Sequence, residues 1–141
     1  MTKQTKNQTV NASKLKQELQ HFAGDLVRYQ HPLNQKVIYT PGVRHLVKEA
    51  NAYWLLDAIA SWLGSRDFVE AAMRDSRIAD MHFWTLHVNA DRSAVLFAKA
   101  DSPCDPFIEQ QVEWTDFPLP MIDIWAAFDG DHWTLYLPSE H

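Results

Sequence analysis

MHFWTLHVNADRSAVLFAK, residues 81–99, decides the fold. Trp84, Leu86 and Val88 alternate with Thr85, His87 and Asn89, which is the period of two expected of a half-buried strand. NADRS then reads as a turn, and Ala94, Leu96 and Ala98 carry the alternation into a second strand. Downstream, SPCDP breaks the sheet. A third strand places Ile108, Val112 and Trp114 on one side and Glu109, Gln111 and Glu113 on the other. FPLP interrupts again, and MIDIWAAF with HWTLYL reads as a last hairpin turning at Asp129, Gly130 and Asp131. The expectation is an antiparallel sheet of about five strands.

Upstream the period becomes helical. Leu15, Leu19 and Phe22 mark one face of a helix that Ser13 caps and Gly24 stops, while YQHPLNQKVIYT suggests a short, irregular strand pair. Thr40 before Pro41 starts a second helix, because a hydroxyl cap followed by proline fits the first helical positions. Asn51 ends it in a left-handed conformation. AYWLLDAIASWLG, apolar nearly all round, reads as the covered centre of the fold. Phe68, Val69, Ala72 and Met73 suggest a further helix. Helices first and strands second spell α+β, with the N-terminal helices packed on one face of the C-terminal sheet. Residues 1–11, rich in Thr, Lys, Gln and Asn with almost nothing to bury, read as a disordered leader, and 12–141 as one domain.

The chain has 141 residues with a net charge of -5. All 13 Lys and Arg lie before Ala100, and nine acids with no base follow it. A single cysteine, Cys104, supports neither a disulfide framework nor a structural zinc site, and its loop neighbours offer no base to activate it. No apolar run approaches the length of a membrane span, so a cytoplasmic protein without membrane contact is expected. The sequence lacks a Gly-rich phosphate loop, a nucleophile elbow and a basic aromatic stripe, which argues against nucleotide chemistry and nucleic-acid partners.

Asp57 stands out because Trp54, Leu55, Leu56, Ala58 and Ile59 around it are apolar, so its carboxylate must reach water or be paired. It either handles protons or a cationic ligand, or caps a loop or pairs with an arginine. His31 sits in a loop stiffened by Pro32 and bracketed by Tyr29 and Tyr39, and His141 ends the chain; if they meet Asp57, an acid–base cluster results. His82 and His87 differ by an odd number on a strand and no HxxxH pair exists, so no metal site is expected. Trp125 lies opposite Ile122 and Ile124; exposed near Glu109, Glu113 and Asp123, it marks a candidate interaction face, while the other tryptophans belong to the core.

HPL (31–33), AYWLLDAIASW (52–62), VNADRSAVL (88–96), TDFPL (115–119) and LPSEH (137–141) resemble a family of short bacterial proteins, a domain of unknown function often encoded on plasmids, phages or cyanobacterial genomes. The resemblance covers residues 15–141 and implies a lone α+β domain with no assigned activity, cofactor or site residues. In layout the chain is also similar to small haem-utilisation proteins. The favoured expectation is a non-enzymatic accessory module that binds a protein, a small ligand or a second copy of itself. Two alternatives stand beside it: a haem or small-ligand pocket between the apolar helix and the sheet, and an enzyme using an Asp57–His pair.

Overall fold

The computed structural model describes residues 11–23 and 27–141. The leader read over 1–11 lies outside the described residues except for Asn11, and so does the stop at Gly24. Asn11, rather than Ser13, caps the first helix: its Oδ1 accepts from Lys14 N at 3.0 Å. Among the described residues there are helices α1 (Ala12–Leu19), α2 (Pro41–Glu49), α3 (Tyr53–Trp62), α4 (Arg66–Arg74) and α5 (Arg77–Asp80). The strands are β1 (Tyr29–Gln30), β2 (Val37–Tyr39), β3 (Met81–Val88), β4 (Ala94–Lys99), β5 (Ile108–Val112), β6 (Met121–Phe128) and β7 (Trp133–Tyr136), and a 3-10 turn spans Pro138–Glu140.

The architecture is α+β, but the sheet corrects the expectation of five antiparallel strands. It has seven strands in the order β1-β2-β7-β6-β3-β4-β5. β2 runs parallel to β7, with Val37, Ile38 and Tyr39 opposite Trp133, Thr134 and Leu135, so the upstream strand pair joins the sheet. Local periodicity cannot report that pairing, because β2 and β7 are remote in sequence. β3 lies between β4 and β6, as the hairpin reading of 81–99 requires.

Alternation divides the sheet. Trp84, Leu86, Leu96, Ala98, Ile124, Ala126 and Leu135 turn inward and are essentially inaccessible. Antiparallel strands that bury one face, as β3, β4, β6 and β7 do within this mixed sheet, show this clean alternation. Phe68 of α4 meets Trp133 edge-on, with centroids 5.5 Å apart, and the Trp62 indole N–H of α3 donates to Gln110 Oε1 at 2.7 Å. Removing atoms from this layer, as in Leu86→Ala, would cost about 2–5 kcal/mol.

Three helical readings change. α3 is not covered on most sides, since Tyr53, Asp57 and Ser61, spaced by four, form an exposed stripe opposite Leu55, Leu56, Ile59 and Ala60. α4 buries Phe68 and Ala71 while Val69 and Met73 are exposed, Met73 at 82%. α5 is an addition to the expected helices; it is a single turn entering β3, too short for a period to register. The left-handed Asn51 is present, with φ 52°.

Candidate functional site

The HPLN loop is organised by its histidine. His31 is buried at the end of β1, and its Nδ1 accepts two backbone N–H groups, from Leu33 at 3.1 Å and Asn34 at 3.0 Å. A nitrogen that accepts carries no proton, so the ring hydrogen sits on Nε2 and is donated to Asp57 Oδ1 at 2.8 Å. Asn34 completes the junction: its Nδ2 donates to Ala60 O at 2.9 Å and its Oδ1 accepts from Lys36 N at 3.1 Å. The loop is thereby tied to the last turns of α3.

The pair is asymmetric. The His31 side chain is 3% exposed and that of Asp57 is 58% exposed. His31, Leu33, Asn34, Asp57, Ser61 and Ser65 are among the residues lining a cleft of about 360 Å³. Both His31 nitrogens are committed, one to amides and one to the carboxylate. Neither is left to abstract a proton from a substrate or to coordinate iron. The space expected for a ligand between the apolar helix and the sheet is occupied by Leu55, Leu56, Ile59, Trp84 and Leu86, each at most 1% exposed.

Tyr29 and Tyr39 adjoin the pair. Their rings lie 5.7 Å apart, and the Arg44 guanidinium stands 4.7 Å over Tyr29. Burial first, and then the Tyr53 phenol, push the Tyr39 hydroxyl above its ordinary pKa; Arg44 opposes the rise, and Tyr29 and Asp57 add to it. Thus His31, Asp57, Tyr29 and Tyr39 share one neighbourhood. His141 does not join them. Its Nδ1 is 3.0 Å from Tyr136 Oη, and its ring stacks on Tyr136 and meets Trp125 edge-on at 5.4 Å. The three-residue cluster reduces to His31 and Asp57.

Residues 13–141 match a family described as being of unknown function, DUF6876. The chain belongs to DUF6876. No curated protein and no solved structure matches it. Several of the strings that carried the resemblance are hydrogen-bonded to one another in this DUF6876 chain. HPL binds AYWLLDAIASW through His31 and Asp57. Arg92 of the NADRS turn, at φ 72°, donates to the carbonyls of Thr115 (2.9 Å) and Phe117 (2.6 Å) in TDFPL. Glu140 of LPSEH accepts from Thr40 Oγ1 at 2.7 Å, Gly42 N at 3.2 Å and Leu137 N at 2.9 Å, closing the N-terminus of α2.

Trp125 is half-buried rather than exposed, because Phe83, Tyr136 and His141 crowd its ring. Asp123 accepts from Thr85 Oγ1 at 2.7 Å, and Glu109 and Glu113 are exposed. Trp114, expected in the core, is 65% exposed, because the strand ends before it at Val112. Cys104 does have a basic neighbour, Arg77 Nη2 at 3.5 Å, brought from far upstream. His82 is completely buried against Trp133, Phe68, Phe107 and Trp84, with ring centroids 4.9, 5.3, 5.5 and 5.7 Å away. Its Nδ1–H donates to Ile78 O at 3.1 Å while Nε2 has no partner among the described residues, and burial lowers its pKa to about 4 against the opposing pull of that carbonyl. Its inward parity with Trp84 is readable from the alternation of β3. Among the described residues no group of three or more His, Cys, Asp or Glu side chains could hold a metal ion, and no helix is long and apolar enough to cross a membrane.

Proposed function

We propose that the chain is a non-enzymatic binding protein whose recognition element is the Asp57 carboxylate, presented to the ammonium or guanidinium group of a small ligand. One observation carries this reading: His31, its proton fixed on Nε2 by two amides at Nδ1, orients Asp57 through one oxygen and leaves the other exposed on the wall of a cleft. A carboxylate held in place by a buried donor loses less freedom when it accepts a charged donor, and such bonds are the stronger class. Tyr53, 45% exposed and one turn before Asp57 on α3, supplies an aromatic face beside the charge. The commitment of both His31 nitrogens supports binding over acid–base catalysis.

Titration calorimetry with agmatine and n-butylamine tests the reading. Saturable heat is expected from the wild-type chain and none from Asp57→Asn, a substitution at a position that remains largely in water. No saturable heat from either amine, or equal heat from Asp57→Asn, overturns it.

The exposed indole of Trp114, between Glu113 and Asp116 just past the edge strand β5, favours a second reading, an acidic edge for a basic protein partner. Salt-sensitive binding of a Lys-rich peptide, weakened by Trp114→Ala, is its expected signature; binding unchanged by that substitution would sink it.

A further inference from the structure

The outward face of β3, β4 and β6 carries a second, separate concavity. Register sets Phe83 beside both Lys99 and Trp125, and Thr85 between Phe97 and Asp123. Together with Asp101 and Ser102 these side chains enclose about 440 Å³, within the range of about 300–1,000 Å³ usual for small-molecule sites. The walls are aromatic: Phe83 and Trp125 meet edge-on at 5.3 Å.

Lys99 is the unanswered group. Its ammonium stands 5.5 Å over the Phe97 ring, the residue is half-buried, and among the described residues no carboxylate approaches it within ion-pair distance. The acids of the same cavity take other donors, at its wall and its rim. Asp123 holds the Thr85 hydroxyl at 2.7 Å; Asp101 takes the Ser102 N–H at 2.7 Å and lies 3.9 Å from the Arg77 guanidinium. A cation partly removed from water and set over a ring gains more from an anion than an exposed lysine does, because the local dielectric is lower.

We propose that this cavity binds a small planar aromatic carboxylate, its ring against Phe83, Phe97 and Trp125 and its carboxylate on Lys99. Aromatic pairing favours the edge-on and offset arrangements that these rings already present. The charge supplies the discrimination: an acid should bind better than a neutral molecule of the same shape.

Titrating 2-naphthoate and 2-naphthamide into isotope-labelled protein, with the indole N–H resonances assigned, tests this directly. The expected result is a saturable shift of the Trp125 indole N–H with 2-naphthoate, and binding of the amide weaker by about tenfold. In Lys99→Met, whose fold is checked by the remaining amide resonances, affinity for the acid should fall about tenfold while that for the amide holds. Equal affinity of acid and amide for the wild-type chain overturns the proposal without recourse to any variant, as does the absence of a saturable Trp125 shift at millimolar 2-naphthoate.

Discussion

Asp57 and Glu140 are two carboxylates that fasten loops to helices, and they are satisfied to different degrees. Glu140 is 9% exposed and takes donors from a hydroxyl and two backbone amides. It also fills the space above Gly42 so tightly that a Cβ there would lie 2.6 Å from Oε1. Among the described residues Asp57 takes one donor, from His31, and its side chain is otherwise largely turned to solvent. The first is consumed by the fold; the second is anchored by the fold and left available. Lost hydrogen bonds matter most where the remaining partners stay buried, so the two residues should separate sharply by what their removal does.

The largest effect is expected at the closed site. Gly42→Ala must displace a carboxylate held by three donors and should destabilise by about 3 kcal/mol, with Glu140→Ala costing about as much by orphaning those donors. Combining them sharpens the contrast: once Glu140 is truncated, the methyl added at position 42 has room, so the double mutant should be far less unstable than the sum. Urea midpoints measure all three, and strict additivity would break the account of Gly42.

Buried His82 gives the fold an acid sensitivity of its own. Its folded pKa, about 4, lies below the unfolded value of 6.5, so the unfolded chain takes up the proton first. The stability that neutral His82 contributes is fully present above about pH 6.5 and is lost as pH falls toward about 4, amounting to about 3 kcal/mol by linkage. Asp75, Asp91 and Asp129, lowered by hydrogen bonds to Arg77, Ser93 and His132 respectively, lose their contributions only at lower pH. His82→Leu should flatten the profile between those limits; an unchanged slope would remove His82 as its source.

At the open site, His31→Phe strands the Leu33 and Asn34 amides and should cost about 2 kcal/mol. Asp57→Asn keeps an acceptor for His31 and should change stability by less than about 1 kcal/mol while removing amine binding. A loss of stability at Asp57→Asn as large as at His31→Phe would mean that Asp57, like Glu140, is spent on the fold.

Much of this is legible where the signal is local. The alternation of 81–99 marks β3 and β4, Thr40 and Pro41 mark the start of α2, and the oddity of a carboxylate among apolar neighbours points to Asp57. What escapes is set by distance along the chain. β2 finds β7, Arg77 finds Cys104 and Glu140 finds Thr40 only when the chain is folded, and no periodicity encodes such meetings. His141 escapes for another reason: its partner Tyr136 is close in sequence, but His141 lies in no regular element whose parity could assign it a face. Trp114 is misread when alternation is extended two residues beyond the last paired one.

The Thr40–Glu140 bond spans 100 positions, and the β2–β7 ladder nearly as many. During synthesis, therefore, β2 has β1 beside it early, but its other edge stays open until β7 has emerged, and the N-terminus of α2 waits for Glu140. Contacts of such sequence separation slow folding. Chains emerging from the ribosome should accordingly stay sensitive to protease around residues 37–42 until the last strand is released, with β3–β4, whose partners are neighbours, protected first.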